Sequence, residues 1–279
     1  MAVRRLRLDA ELVRRGLARS REHAVELVAA GRVSVAGARA TKPATGVTTD
    51  AAIVVREEPG RPDYVSRGGH KLAGALDAFE PAGLSVEGRR CLDAGASTGG
   101  FTDVLLRRGA AEVVAVDVGY GQLAWKLRSD DRVRVHDRCN VRELTAEQVG
   151  GPVEVVVGDL SFISLVLVLD ALLGVTAPGG DLALMVKPQF EVGKERVGKG
   201  GVVRDPEVRA EAVLEVAAAA QRRGWGVQQV APSPLPGPSG NVEFFVWLRQ
   251  GPALVDDEQV REVVRAGPGP SAAGEMVDP

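Results

Sequence analysis

Hydrophobic positions in the first 55 residues follow a helical spacing and then change to a strand-like one. The first predicted helix has near-helical apolar spacing that ends at a glycine: Leu6, Leu8, Leu12, Val13 and Gly16. Ser20 is placed to cap a second helix over residues 20–30, which Gly31 ends. The short runs RVSVAG and AAIVV that follow are typical of strands. The pattern predicts a small α+β domain, and a helical hairpin with a solvated basic face is the alternative interpretation.

From about residue 71 to residue 249, β-rich runs alternate with helical stretches. The predicted strands are residues 90–94, 112–118, 133–135, 153–158, 181–187, 226–230 and 243–248. The predicted helices are residues 101–108, 162–173 and 206–223. This alternation predicts an α/β, Rossmann-like domain with a mostly parallel sheet and a site at the carboxyl ends of its strands. The last run follows a loop rich in proline and glycine, which suits a terminal hairpin strand.

Prolines and glycines in the segment EEPGRPDYVSRGG mark a boundary between the two regions. We place the first domain at residues 3–60, a linker at 61–70 and the second domain at 71–250. Residues 251–279 are rich in glycine, proline and alanine, and they hold six acidic residues against two basic ones. We expect this acidic tail to be disordered, with room for one short helix near residues 256–265.

Composition narrows the classes of function. The chain has 279 residues, is 45% hydrophobic and carries a net charge of −2, which is typical of a soluble globular protein. Two cysteines without a CxxC motif argue against a disulfide framework and against a zinc site. The N-terminus lacks the apolar region of a signal peptide, and the longest apolar stretch, residues 165–175, is shorter than the roughly 20 residues that span a bilayer. We therefore expect a cytoplasmic protein without a bound metal.

Charge is unevenly distributed despite the nearly neutral total. Residues 1–42 hold ten basic residues against four acidic ones. Arginines on one face of a helical pair can contact phosphates, which gives affinity for nucleic acid without reading its sequence. The candidates for phosphate contacts are Arg5, Arg7, Arg19, Arg21 and Lys42.

The segment LDAGASTGGFTD, residues 92–103, joins a predicted strand to a predicted helix through a glycine-rich turn. Glycines let the backbone approach a ligand closely, and the helix N-terminus offers free N–H groups. The candidate cofactor-binding residues here are Asp93, Gly95, Ser97, Thr98, Gly99, Gly100 and Phe101. The spacing is neither GxGxxG nor that of a P-loop, which argues against both of those phosphate-binding motifs. A tight turn without a ligand is the alternative.

Asp117 ends the next predicted strand, 22 residues after Gly95. A carboxylate at this place can accept hydrogen bonds from both hydroxyls of a cofactor ribose, and a turn or helix-cap aspartate is the alternative. Together with the glycine turn, Asp117 indicates an adenosine ligand that has no diphosphate, and S-adenosylmethionine fits that description. Asn140, which follows the third strand, is a candidate cofactor-loop residue or, equally, a helix N-cap.

Two further strand ends carry charged side chains. Asp159 follows the fourth strand, and Lys187 follows the fifth strand directly before Pro188. Each residue alone is typical of a protein surface. Because parallel strands bring their carboxyl ends to the same crevice, we expect both side chains to lie near the glycine turn.

Five motifs carry a family resemblance: SRGGHKL at residues 66–72, LDAGASTGGFTD, GDLSFIS, VKPQFE with GKGGVVRDP, and GNVEFF at residues 240–245. Together they resemble the TlyA (hemolysin A) family, which joins an S4 RNA-binding domain to an FtsJ-like, Rossmann-type methyltransferase domain. The opening segment RLRLDAELVRRGLARSREHAVELVAAGRVSVAG resembles the S4 domain. The resemblance covers residues 3–249 and implies a seven-stranded, mostly parallel sheet with an antiparallel last strand.

The resemblance also implies a catalytic tetrad of Lys71, Asp159, Lys187 and Glu243. The implied reaction is the S-adenosylmethionine-dependent 2′-O-methylation of a cytidine ribose in ribosomal RNA, in the large subunit alone or in both subunits. We expect Lys187 to contact the 2′-hydroxyl, with the carboxylates orienting the two lysines. Desolvation lowers the pKa of a lysine that serves as a base, and neighbouring carboxylates raise it.

Ribosomal RNA or ribosomal subunits are the expected partners of a chain that we expect to act as a monomer, away from membranes. One alternative is a membrane-active hemolysin, a label that this family also carries. The sequence shows no spanning segment and no long amphipathic helix for it. The other alternative is a non-catalytic RNA-binding protein, against which the intact tetrad argues.

Overall fold

The computed structural model describes residues 5–18, 20–56, 62–237 and 239–268. The chain divides into two compact units, Met1–Ser66 and Arg67–Pro279. Their boundary falls inside the linker placed at residues 61–70, because a helix already begins at Arg67.

The N-terminal unit is a small α+β domain. Its elements in chain order are β1 (Arg5–Arg7), α1 (Leu8–Arg14), α2 (Arg21–Ala29), β2 (Val33–Val35), β3 (Ala38–Arg39), β4 (Gly46–Thr48) and β5 (Ile53–Val55). Strand β1 pairs with β4, and β2 lies between β3 and β5; all of these pairings are antiparallel. The Ser20 hydroxyl accepts a hydrogen bond from the backbone N–H of His23 at 3.1 Å, so the predicted cap of the second helix is confirmed. Leu8, Leu12 and Leu27 are buried where the helices meet the strands.

The second unit is built on a seven-stranded sheet. Its strands are β6 (Arg90–Ala94), β7 (Glu112–Val116), β8 (Val133–His136), β9 (Val153–Gly158), β10 (Thr176–Val186), β11 (Trp225–Pro232) and β12 (Phe244–Gln250). The order across the sheet is β11-β12-β10-β9-β6-β7-β8. Strands β6 to β10 pair in parallel, whereas β12 runs antiparallel to both of its neighbours. The predicted mostly parallel sheet with an antiparallel last strand is confirmed.

Helices cover both faces of this sheet. They are α3 (Arg67–Phe79), α4 (Gly100–Arg107), α5 (Trp125–Arg128), α6 (Leu169–Val175), α7 (Pro188–Glu191), α8 (Pro206–Gln221) and α9 (Asp257–Ala266). Side chains of β12 alternate between the faces. Phe245 packs against Phe101 of α4, with 5.9 Å between the ring centroids. Val246 faces the other way, into the core that includes Val213 of α8.

Several elements differ from the sequence prediction. In the N-terminal unit, Leu6, which was placed in the first predicted helix, lies in strand β1, and α1 begins at Leu8. The second unit shows two larger differences. Helix α3 was not predicted, although Leu72, Ala75, Leu76 and Phe79 follow helical spacing and are all buried. The helix predicted at residues 162–173 is interrupted: a loop leads into a short 3₁₀ turn, and α6 begins only at Leu169.

The acidic tail also differs from its prediction. Residues 251–268 belong to the fold, because α9 packs against α8 and β11 through the buried Val260 and Val264. Asp256 and Gln259 form a capping box at its N-terminus, so the short helix expected near residues 256–265 is present. The rest of the predicted tail, residues 269–279, lies outside the described residues.

Candidate active site

The glycine-rich turn after β6 packs against the loop that follows β9. Gly95 has φ +85°, and a Cβ atom on it would lie 2.8 Å from the backbone oxygen of Asp159. Gly99 has φ +97°, and a Cβ atom there would lie 2.3 Å from a Leu127 methyl carbon. Glycine is required at both positions, because a larger residue would meet backbone or core. Gly100 then begins α4, so the turn presents a helix N-terminus to the carboxyl edge of the sheet.

Asp93, the fourth residue of β6, is a fully buried carboxyl group. The Thr102 hydroxyl donates a hydrogen bond to its Oδ2 atom at 2.7 Å. Its Oδ1 atom is buried and has no hydrogen-bond partner among the described residues. Burial raises the pKa of Asp93 to about 7, and the nearby charges of Asp159 and Asp117 add to the shift. A buried carboxyl group that lacks a cation fits a site for a positively charged ligand group.

Asp117 holds the glycine turn against the end of β7. Its Oδ2 atom accepts a hydrogen bond from the backbone N–H of Ser97 at 2.8 Å, and its Oδ1 atom accepts one from Gly119 at 2.6 Å. A carboxylate has about four lone-pair sites, so each oxygen can accept a further bond. Asp117 therefore fits the predicted contact to a ribose.

Two lysine–carboxylate pairs stand at the carboxyl edge of the sheet. Lys71 of α3 lies 2.5 Å from the Oε2 atom of Glu243, which directly precedes β12; the two side chains are 8% and 1% exposed. Lys187, which directly follows β10, lies 2.5 Å from the Oδ1 atom of Asp159, and this carboxylate is 25% exposed. Both members of the Lys71–Glu243 pair are buried, whereas the Lys187–Asp159 pair reaches solvent through its carboxylate.

Three tetrad residues and two residues of the glycine turn line one cleft of about 280 Å³. Its lining residues are Arg67, Gly68, Lys71, Gly95, Ser97, Asp159, Ser161, Lys187 and Pro236. Glu243 lies directly behind Lys71. The four tetrad residues are thus gathered beside the glycine turn, with both lysine amines within hydrogen-bond distance of a carboxylate.

Three of the cofactor candidates are placed differently. The Phe101 ring is 3% exposed and packs on Phe245, so only its backbone is on the side of the turn. Thr98 is exposed on the turn and is not part of the cleft lining. The Oδ1 atom of Asn140 accepts from the backbone N–H of Arg142 at 3.1 Å, so Asn140 acts as the cap of a 3₁₀ helix.

Ser161 belongs to the cleft and was missed by the sequence analysis. Its hydroxyl accepts a hydrogen bond from the Lys187 Nζ atom at 2.8 Å. The available signal was its position two residues after Asp159, in the loop that leaves the same strand.

The basic candidates of the N-terminal unit gather around the start of α1. Arg7 and Arg21 both donate to the buried carboxylate of Asp9, at 2.8 and 3.1 Å, while more than half of each arginine side chain stays exposed. These two arginines hold the pKa of Asp9 far below its usual range. Arg5 and Lys42 are exposed. The remaining candidate, Arg19, lies outside the described residues.

Two negative findings concern the described residues only. No helix in this part of the chain is long and apolar enough to cross a membrane. No group of three or more histidine, cysteine, aspartate or glutamate side chains is arranged there to hold a metal ion.

Comparisons with known proteins cover both units. The FtsJ-like methyltransferase family matches residues 64–250, and the S4 domain matches residues 6–53. The 16S/23S rRNA (cytidine-2′-O)-methyltransferase TlyA of Mycobacterium tuberculosis is 62% identical over 246 residues, which are 88% of this chain and 90% of the relative. YqxC of Bacillus subtilis, which carries an rRNA methyltransferase name, is 43% identical over 95% of both chains. A solved structure from Streptococcus thermophilus that carries a hemolysin name has a TM-score of 0.71 and 40% identity, and the match covers 95% of this chain and 96% of that one.

Proposed function

The chain belongs to the FtsJ-like methyltransferase family, in its TlyA branch with an N-terminal S4 domain, and on this basis we propose that it is an S-adenosylmethionine-dependent rRNA (cytidine-2′-O)-methyltransferase. The observation that carries the proposal is the meeting of two lysine–carboxylate pairs with the glycine turn in one cleft. The specific base and RNA come from the relative of Mycobacterium tuberculosis, whose name states both. We further propose that the protein acts on ribosomal subunits as a cytoplasmic monomer.

The residues of the cleft fit S-adenosylmethionine. Asp117 would accept hydrogen bonds from the cofactor ribose, because both of its oxygens lie at the turn and retain acceptor capacity. Asp93 would face the ammonium group of the cofactor, which would supply the cation that the buried Oδ1 atom lacks. Glycine at positions 95 and 99 lets the turn pack closely against the loop after β9 and against α5, which holds its backbone at the carboxyl edge where the cofactor would bind.

When bound, S-adenosylmethionine supplies a methyl carbon that bonds to the ribose 2′-oxygen as its bond to sulfur breaks and the electron pair stays on sulfur. The residues of this chain have two tasks. Lys187, in its amine form, accepts the proton of the 2′-hydroxyl at Nζ, so that the attacking oxygen does not carry a positive charge. The buried Lys71–Glu243 pair adds one positive and one negative charge next to Lys187, so it contributes no net charge to the site. Because the leaving group needs no acid, most of the rate enhancement comes from positioning.

The test is methyl transfer from tritiated S-adenosylmethionine to isolated 30S and 50S subunits and to deproteinised rRNA. We expect label in rRNA, and alkaline hydrolysis should leave it in a dinucleotide that contains cytidine, because a 2′-O-methyl group blocks cleavage of the adjacent phosphodiester. Label in mononucleotides would show base methylation and would contradict the proposal. Binding of cofactor and RNA without transfer would instead support the non-catalytic alternative.

A further inference from the structure

We propose that Ser161 is a positioning residue that directs the Lys187 amine toward the substrate 2′-hydroxyl, a role that rests on the proposed function. Ser161 lies in the cleft lining with Lys187, Gly95 and Ser97. Its hydroxyl oxygen is 2.8 Å from Lys187 Nζ and accepts a hydrogen bond from it.

Because Nζ is tetrahedral, a hydrogen bond to Ser161 also fixes where its other hydrogens or its lone pair point. Beyond its bond to Cε, Nζ has three directions in which it can hold a hydrogen or a lone pair. The Ser161 hydroxyl takes one of these directions at 2.8 Å, whereas the Asp159 Oδ1 atom lies 2.5 Å from Nζ as an ion-pair partner without the geometry of a hydrogen bond. Within the described residues Ser161 is therefore the one hydrogen-bond partner of Nζ, and it sets the rotation of the amine about its bond to Cε. In the amine form, the lone pair lies in one of the two remaining directions and accepts the 2′-hydroxyl proton.

Ser161 is held in place by the segment that follows Lys187. The Glu191 carboxylate of α7 accepts hydrogen bonds from the Ser164 hydroxyl at 2.6 Å and from the backbone N–H of Leu165 at 2.9 Å. The loop after β9 is therefore fastened to α7, which begins one residue after Lys187. Because these hydrogen bonds hold the loop of Ser161 against the segment of Lys187, the contact between the hydroxyl and the amine fixes the orientation of Nζ.

The hydroxyl also has the right charge for this task. A second carboxylate at its place would add a negative charge and hold the lysine as an ammonium ion, whereas a neutral hydroxyl orients Nζ without that cost. Lys71 provides the contrast, since its amine pairs with Glu243 and contacts no hydroxyl within the described residues. The contact with a serine hydroxyl thus distinguishes Lys187, which we place at the substrate 2′-hydroxyl, from Lys71.

The experiment compares Ser161→Ala, Ser161→Thr and the control Ser164→Ala in the full chain. All three change one residue of the same loop, but only Ser161 touches Lys187. In Ser164→Ala the hydrogen bond from the Leu165 backbone N–H to Glu191 remains and keeps the loop attached to α7. At saturating cofactor, we expect Ser161→Ala to lower kcat about 10- to 100-fold with KM for the rRNA substrate within twofold of wild type. Ser161→Thr should recover most of kcat, and Ser164→Ala should stay within about threefold of wild type.

A second measurement does not depend on activity. In the cofactor-free protein, acetic anhydride should label Lys187 several-fold faster in Ser161→Ala than in wild type, because the amine has lost a partner. Labelling of Lys71, followed in the same digest by mass spectrometry, should not change. Circular dichroism establishes that each variant is folded.

Three results would overturn the role of Ser161: wild-type kcat in Ser161→Ala, a loss confined to KM, or an equal kcat loss in Ser164→Ala. The first would remove the positioning effect, the second would make Ser161 an RNA contact, and the third would assign the effect to loop order. These results differ from failure of the proposed function, in which wild-type protein transfers no methyl group to any rRNA.

Discussion

The N-terminal unit and the cleft differ in the number of cationic side chains that pair with each buried carboxylate. Asp9 in the N-terminal unit is shared by two arginines, each of which is more than half exposed. In the cleft, Asp159 and Glu243 each face a single lysine. The same type of acid therefore leaves an excess positive charge in one unit and a neutral pair in the other.

The difference matches the two proposed tasks, which are phosphate binding by the N-terminal unit and proton transfer in the cleft. Arginine remains charged at any physiological pH, so two arginines on one acid keep a permanent positive charge toward solvent, as a phosphate-binding surface requires. Lysine can gain and lose a proton, so a one-to-one pair with a carboxylate can serve proton transfer. Asp93 is a third case, because no cationic side chain among the described residues pairs with it, and a positively charged group of a ligand would be its partner. Substitutions at five residues test whether the number of cations per carboxylate determines what each unit does: Lys187, Asp93, Arg7, Arg21 and Glu11.

The largest effect is expected for Lys187→Met. Removing the group that we propose as the acceptor of the 2′-hydroxyl proton should lower kcat for methyl transfer about 10²- to 10⁴-fold, while binding of S-adenosylmethionine stays near wild type. Tritiated-methyl transfer and isothermal titration measure the two quantities. The control is Lys126→Met, whose side chain is 55% exposed and pairs with Asp103 outside the cleft. Wild-type methyl transfer by Lys187→Met would show that Lys187 does not accept the 2′-hydroxyl proton.

A smaller effect is expected for Asp93→Asn. An amide cannot match the charge of the cofactor ammonium, so affinity for S-adenosylmethionine at about pH 8 should fall roughly 10- to 100-fold. Stability should change in the opposite direction. Burial raises the pKa of Asp93 to about 7, so wild-type protein loses stability as the pH rises from about 4 to 7, where only the unfolded chain has released this proton.

Thermal melting of cofactor-free protein tests the second half of this prediction. The melting temperature of Asp93→Asn relative to wild type should rise between about pH 5 and pH 8. A difference in melting temperature that does not vary with pH in this range would show that Asp93 does not have the raised pKa of a buried, unpaired carboxyl group.

Substitution of Arg7 or Arg21 by glutamine should act on binding alone. Each change removes one proposed phosphate contact, so affinity for rRNA should fall several-fold and the slope of log K against log salt should decrease by about 1. Filter binding at several salt concentrations provides both numbers, and kcat at saturating RNA should not change. Arg132→Gln, at the opposite end of β8 from the cleft, is the matched control. A kcat loss without a change in salt slope would contradict the division of tasks between the units.

The sequence predicted the sheet and part of the cleft because both follow short-range rules. Asp159 and Lys187 end parallel strands, and parallel strands share one edge, so their proximity follows from topology. The contact between Lys71 and Glu243 spans 172 positions of the chain and depends on α3, whose glycine-rich start resembles a linker. Only the family resemblance brought these two residues into the set.

Other features required packing that no local pattern contains. Asn140 suited a cofactor loop and a helix cap equally well; the bond to Arg142 shows the cap, and the cofactor contact stays a prediction. Ser161 gains its meaning from the amine of a different loop, 26 residues away. Helix α9 has the composition of a solvated tail, yet its buried Val260 and Val264 pack on α8, and Arg265 pairs with Glu207 of that helix.

The smallest effect concerns the second shared carboxylate of the N-terminal unit. Hydrogen bonds from Arg14 and Arg15 lower the pKa of Glu11 to about 2. Because this folded-state pKa lies below the usual value near 4.5, Glu11 stabilises the unit fully above about pH 4.5 and loses that contribution as the pH falls toward 2. In Glu11→Gln, peptides covering α1 should exchange their amide hydrogens a few-fold faster than wild type near pH 7, and the ratio should approach one as the pH falls. Glu26→Gln, exposed on α2, should exchange as wild type does at every pH. A ratio for Glu11→Gln that does not vary with pH would show that packing, and not the charge shared by two arginines, holds this carboxylate in the N-terminal unit.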